Sequence, residues 1–217
     1  MAEIVSSNVI DAWKKSLRYI IDNGTDYNDT KRDFRQVLNF NLIITNPVDD
    51  INYPIRFLSE SDYWVYPSID EIKNIILSKD KNPSYDFTYG QRLFNFSNKI
   101  NQIDDYIIPL LKKDNFTRRG IVIFWDPNVD INTTTDQPGL LLCTFKIVDN
   151  KMNVTAIIRN NDFFVGFPAT LYQINLLQEY TADKIGVEIG SIIFYSTTAH
   201  IYKENINLIE NKLLLKK

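Results

Sequence analysis

Three apolar runs, 120–125, 140–148 and 152–158, constrain most strongly what this chain can fold into. Each is short, rich in Val, Ile, Leu and Phe, and bounded by polar residues, which is the pattern of buried strands. Asp149-Asn150-Lys151 separates the last two and carries the residue chemistry of a tight hairpin turn. Residues 36–45, closed by Asn46-Pro47, and 187–196 read as further strands. Helical spacing predicts a helix over 8–22, with Ile10, Trp13, Leu17, Ile20 and Ile21 on one face and Asn23-Gly24 stopping it. A second helix is predicted over 68–79, with Ser68 as N-cap and Glu71 three residues on. A third pattern covers 99–113, disturbed by Pro109, and a fourth covers 168–180, with Pro168 in its first turn. The polar stretch 25–35 reads as a loop, and the tail 203–217 as holding a short helix. This mixture of helices and partly antiparallel strands is an α+β class. No shift in composition marks a linker, so residues 1–217 are expected to form one domain.

With 44% hydrophobic and 24% charged residues, the chain can bury a sizeable core. The net charge is -3 and no basic stripe tracks a phosphate backbone, which argues against a nucleic-acid partner. Cys143 is the sole cysteine, so no intrachain disulfide can form, as fits a reducing compartment. No export signal and no apolar run of ~18 residues is apparent, so the expected location is the cytoplasm, without a membrane partner. One His and one Cys cannot build a zinc site unaided.

Polar residues at the ends of the apolar runs are the candidate site. Arg118-Arg119 open one run, Arg159 ends another, and Asp162 follows it closely. His200, the single histidine, stands two residues before Tyr202 and just beyond the last strand. A core strand has no packing reason to end in a guanidinium. Three arginines point to an anion, and their planar forks favour phosphate.

Six segments in order resemble the thymidylate synthase family, which includes the deoxycytidylate hydroxymethylases. Gly24-Thr25 resembles its early D-x-G-T, and Tyr89-Gly90-Gln91-Arg92 its Y-G-x-x-W-R. Thr117-Arg118-Arg119 through Trp125 is similar to S-R-R-x-x-x-x-x-W. Val148-Asp149-Asn150-Lys151 followed by Ile158-Arg159-Asn160-Asn161-Asp162 resembles V-x-D-G-K followed by Q-R-S-x-D. Gly166-Phe167-Pro168 and Ala199-His200-Ile201-Tyr202 resemble G-x-P-F-N and D-A-H-x-Y. The resemblance implies a twisted mixed sheet flanked by helices and paired face to face as a homodimer. It also implies that Arg159 and Asn160 hold a nucleotide phosphate with Arg118 and Arg119 of the partner subunit. By the same resemblance His200 and Tyr202 bond the sugar, while Asp162, Thr170 and Tyr89 lie near the base.

The pattern breaks at the nucleophile. The family's P-C-H element aligns with Pro138-Gly139-Leu140, so Gly139 stands where a cysteine would attack the pyrimidine. Cys143 is four residues away, roughly 13 Å along an extended strand. Thr170 replaces the residue that reads the base edge, and no E-L-x-W-F element appears in 55–85. Three functions therefore stay open: a protein that binds a pyrimidine nucleotide or related sugar phosphate with no cofactor, a divergent methyltransferase or hydroxymethyltransferase using methylenetetrahydrofolate, and an interaction protein with a relic pocket.

Overall fold

A computed structural model describes residues 2–29, 31–80, 82–133 and 137–214. Its frame is a mixed sheet in the order β1 (Ala2–Ser6), β3 (Asp33–Ile44), β8 (Glu188–Tyr202), β6 (Lys151–Ile158), β5 (Leu140–Val148), β4 (Ile121–Ile123). β2 (Thr25–Asn28) pairs with β3, and β7 (Asn161–Asp162) pairs with β8. The helices α1 (Val9–Asn23) and α7 (Gly166–Ile185) lie against the sheet, with shorter helices around them: α2 (Tyr53–Glu60), α3 (Ile69–Ile76), α4 (Tyr89–Phe94), α5 (Ile108–Lys113), α6 (Pro127–Asp130) and α8 (Ile206–Leu208). The predicted α+β class and twisted mixed sheet are what the chain forms.

Strand register explains which face is the core. Leu42, Phe194, Ala156, Cys143 and Val122 align across five strands as one transverse row, and all are buried. Because side chains alternate along a strand, the next row faces the other way. That row runs Val5, Ile43, Ile193, Thr155, Thr144 and Ile121. It is apolar yet open, with Val5 53% and Ile121 42% exposed. α1 covers the buried face with Trp13, Leu17 and Ile20 of the predicted stripe, joined by Val9, while Ile10 and Ile21 are only half-buried.

Several local expectations hold. Ser68 and Glu71 form a reciprocal capping box at α3. Asp149 and Asn150 both take positive φ, 49° and 60°, as a two-residue hairpin turn demands. Pro109 sits in the first turn of α5, directly after a π-helical stretch, Ile103–Ile107. Three differences stand out. Within 25–35, read as a loop, Thr25–Asn28 form β2 and Asp33 begins β3, a hairpin stabilised across strands by Arg35 and Asp26 at 2.8 Å. The last strand continues six residues past the predicted end at 196, because the register Phe34↔Tyr202 through Leu38↔Thr198 gives its backbone partners. β1 and α2 were not predicted. The tail is helical over Lys203–Leu213, and its end, 215–217, lies outside the described residues.

A buried ionic cluster fixes the β4 end. Arg92 on α4 bonds Asp130 at 2.6 Å and lies 3.8 Å from Asp126, and all three are nearly inaccessible. The Ser97 hydroxyl donates to Asp126, which holds that carboxyl below the usual range. The Gln102 side chain serves the backbone N–H and C=O of Ile123, at 2.9 and 2.7 Å, and so acts in place of a neighbouring strand at that edge. Replacing Arg92 with leucine would strand two buried carboxylates. The expected loss is about 3–5 kcal/mol of unfolding free energy, measured by urea denaturation.

Candidate functional site

The extension of β8 builds the site. β7 runs parallel beside it, with Asn161 opposite Ala199 and Asp162 opposite His200. The Phe163 N–H then donates to the His200 carbonyl at 2.9 Å, and the Asn161 amide donates to the Ser196 hydroxyl at 3.1 Å. Below this junction, Trp13 donates its indole N–H to the Phe163 carbonyl, and Phe163 stacks on Phe167 with centroids 4.9 Å apart. These contacts hold two short polar segments rigidly over an aromatic core. Above them opens a cavity of about 620 Å³. Arg159, Asn160, Asp162, Thr170, Tyr89, His200 and Tyr202 all line it, together with Gly139.

Each wall residue has a distinct anchor. Arg159 donates through Nε to the Pro138 carbonyl and through Nη2 to the Gln137 carbonyl, both at 3.0 Å. Its own carbonyl accepts from the Thr197 hydroxyl. The guanidinium thus fastens the loop that carries Gly139. A bulge between Leu140 and Leu142 turns that loop out of the β5–β6 ladder. The Tyr89 hydroxyl accepts from the Leu140 N–H at 3.2 Å. A Cβ added at Gly139 would lie 3.4 Å from the Asn160 carbonyl oxygen and 3.9 Å from the Tyr89 hydroxyl, so a side chain could stand there without a clash. The Thr170 hydroxyl donates to the Gly166 carbonyl.

Asp162 and His200 form the electrostatic centre. One Asp162 oxygen accepts from the N–H groups of Phe164 and Val165, at 3.0 and 3.3 Å, as the chain turns into α7. Burial pushes this carboxyl above the usual carboxylate range, against the opposing pull of His200 and those N–H groups. Burial also pushes the His200 imidazole below its ordinary value, against the pull of Asp162. His200 is 5% exposed, packs edge-on to Phe34 and Tyr202, and leaves Nδ1 without a protein partner.

The structure does not bring every candidate together. Arg118 and Arg119 are exposed, lie ahead of β4, and are absent from the cavity lining of their own chain. Cys143 is fully buried in the core row, where desolvation pushes its thiol well up. Sequence reasoning missed Arg32, which lines the cavity from the β2–β3 turn, and Glu204, which faces it. Arg32 lies in a segment with no periodicity, and only the hairpin pairing carries it to Tyr202.

The neutral imidazole stabilises the fold above about pH 6.5, and that contribution is lost as pH falls below this value. The raised carboxyl of Asp162 acts oppositely, favouring the folded state on acidification until it falls below about 3.9. Between pH 7.5 and 5.5, the melting temperature of His200→Gln should therefore fall less than that of the unaltered protein. Between pH 5.5 and about 4, that of Asp162→Asn should fall more. Scanning calorimetry in matched buffers checks both.

Comparison with known proteins shows the family. Residues 11–217 match the family model described as "Thymidylate synthase". A protein of Methanosarcina barkeri named "Putative thymidylate synthase" is 33% identical over 207 residues, covering 95% of this chain and 92% of its own length. A protein of the same name from Methanocaldococcus jannaschii is 30% identical, covering 92% and 90%. "Thymidylate synthase 1" of Bacillus spizizenii is 28% identical over 125 residues, 57% of this chain and 44% of its own. Among the described residues, no helix is long and apolar enough to cross a membrane.

Proposed function

The chain belongs to the thymidylate synthase family, and we propose that its cavity binds a pyrimidine nucleotide monophosphate, or a related sugar phosphate, without methylating it. The observation that carries this reading is Gly139. It lines the cavity at the position where the family resemblance places the nucleophile, with room for a side chain it lacks. The chain's one cysteine is sealed in the core as a raised, neutral thiol, so it supplies no thiolate to this cavity. Covalent activation of C5 through attack at C6 has no donor here.

The remaining groups suit binding. Arg159 and Asn160 offer donors at the loop end, where a phosphate would sit. His200 and Tyr202 offer donors at the far end of β8, for a sugar hydroxyl. Asp162, Thr170 and Tyr89 lie between, for the base. Arg118 and Arg119 would enter from a second copy. The open sheet face supports that pairing, because its rows include Ile43, Ile193, Ile157, Leu142, Ile121 and Ile123. Two such faces would remove a large apolar area from water. The proposed assembly is a cytoplasmic homodimer.

One observation favours a second reading. A cleft of about 310 Å³ adjoins the cavity at Gly139, lined by Tyr66, Tyr85, Phe87 and Tyr89 with Ile72 and Ile75. Its aromatic walls would fit a flat ring such as that of methylenetetrahydrofolate, which supplies a one-carbon unit when bound. Release of tritium from C5 of labelled dUMP or dCMP would favour this reading over binding alone.

Titration calorimetry with dUMP, dCMP, UMP and CMP should show saturable binding to at least one. Arg118→Ala should weaken it at least tenfold while the protein stays dimeric by light scattering. Unchanged affinity would remove the second copy's arginines from the site, and no binding by any nucleotide would leave the cavity a relic. Gly139→Cys should present a thiol that iodoacetamide labels and the bound nucleotide protects, whereas Cys143 stays unlabelled in the native protein. Labelling that ligand leaves unprotected would separate Gly139 from the ligand.

A further inference from the structure

The aromatic cleft beside Gly139 is continuous with the main cavity. Tyr66, Tyr89, Gln137, Gly139, Ala169 and Gln173 line both, and form the boundary between about 620 Å³ on one side and about 310 Å³ on the other. Two of these six, Gly139 and Ala169, project little or nothing into that boundary. The backbone does not require glycine at 139. Among the described glycines only Gly186 takes positive φ, and a Cβ at Gly139 would make ordinary contacts at 3.4 and 3.9 Å. What the glycine contributes is an open passage.

The space beyond that passage is apolar. Ile72, Ile75, Tyr85 and Phe87 form its walls with Pro67, and none of its described lining residues is charged. Its polar side chains are already engaged. The Thr88 hydroxyl accepts from the Gln91 N–H at 3.1 Å, and the Gln173 amide donates to the Ala169 carbonyl at 3.2 Å. The Gln137 amide donates to the carbonyls of Asp130 and Thr133 at 2.8 and 3.1 Å. Phe87 and Tyr89 pack with centroids 5.8 Å apart, and Tyr89 meets the buried Phe124 ring edge-on at 5.2 Å. Such a cleft gains by burying an apolar group, whereas a phosphate or carboxylate placed there would lose its water without finding a partner.

A pyrimidine has one edge without a hydrogen-bonding group, the C5–C6 edge. With Asp162 and Thr170 serving the polar edge, the bare edge is left for Gly139. A group on C6 would crowd the sugar, so C5 is the position from which a substituent can cross the passage. We propose that the preferred ligand is a pyrimidine nucleotide carrying a bulky apolar group at C5, seated against Ile72, Ile75 and Phe87. This rests on the proposed reading of the main cavity as a nucleotide site with the base beside Asp162 and Thr170. Gly139 is then a specificity determinant, because a branched side chain there would close the passage.

The test compares dUMP with its 5-propynyl and 5-phenyl derivatives by titration calorimetry. The expected result is a 5-phenyl nucleotide bound at least tenfold tighter than dUMP, with the 5-propynyl nucleotide between them. Gly139→Val should bring the ratio of 5-phenyl to dUMP affinity to about one, and Phe87→Ala should lower it at least threefold, with melting temperature confirming that both variants fold. Substituted nucleotides bound no tighter than dUMP, or a ratio that both variants leave unmoved, overturn the proposal while the nucleotide reading stands. If neither dUMP nor its derivatives bind, both fall together.

Discussion

Everything at the site depends on one strand being longer than its apolar pattern. β8 spans Glu188–Tyr202 and is hydrogen-bonded on both sides, to β3 along one edge and to β6 and then β7 along the other. Its first half is ordinary core, with Ile192, Phe194 and Ser196 facing the helices. Its second half carries His200 and Tyr202 as strand residues rather than loop residues. Backbone pairing on both edges fixes them in a way a loop could not, and it places Asp162 opposite His200 by register. The cavity is therefore preorganised by ladder bonds, and its side chains do not need to be ordered by ligand.

The two ends of the cavity are stabilised differently. At one end Arg159 gives two of its five N–H donors to the carbonyls of Pro138 and Gln137, so the Gly139 loop is held by a residue that also lines the cavity. The buried cluster of Arg92, Asp126 and Asp130 supports the same loop more remotely, through the Gln137 amide, which donates to the Asp130 carbonyl. At the other end Arg32 is held by stacking and one exposed ion pair. In the middle, Asp162 and His200 are both pushed by burial toward their neutral forms.

How far the site could be read from sequence follows the same division. Arg159, Asp162, His200 and Tyr202 stood out because they interrupt or end apolar runs, and all four line one cavity. Arg118 and Arg119 stood out for the same reason, yet they lie outside it, because a run can be bracketed by polar residues on any edge of a sheet. Arg32 and Glu204 gave no such signal. Their segments are polar throughout, and no periodicity distinguishes a hairpin tip from a surface loop. The hairpin over Thr25–Asn28 and Asp33–Ile44 was missed because its register is set by pairing with β8, a contact far away in sequence.

Period, turn chemistry and capping settled the local elements: α1, the capping box of α3, the hairpin at Asp149-Asn150, and the three apolar runs that became β4, β5 and β6. These rest on interactions within a few residues, which the order of amino acids states directly. That residue 139 is a glycine and Cys143 the sole cysteine was also written there, since folding cannot change a residue's identity. Tertiary structure alone decided that β8 runs on to Tyr202, that Arg32 reaches its ring, and that one face of the sheet stays open. Those outcomes depend on which distant backbone groups find partners, and the free energy of such pairings belongs to the assembled sheet and to no single segment of the chain.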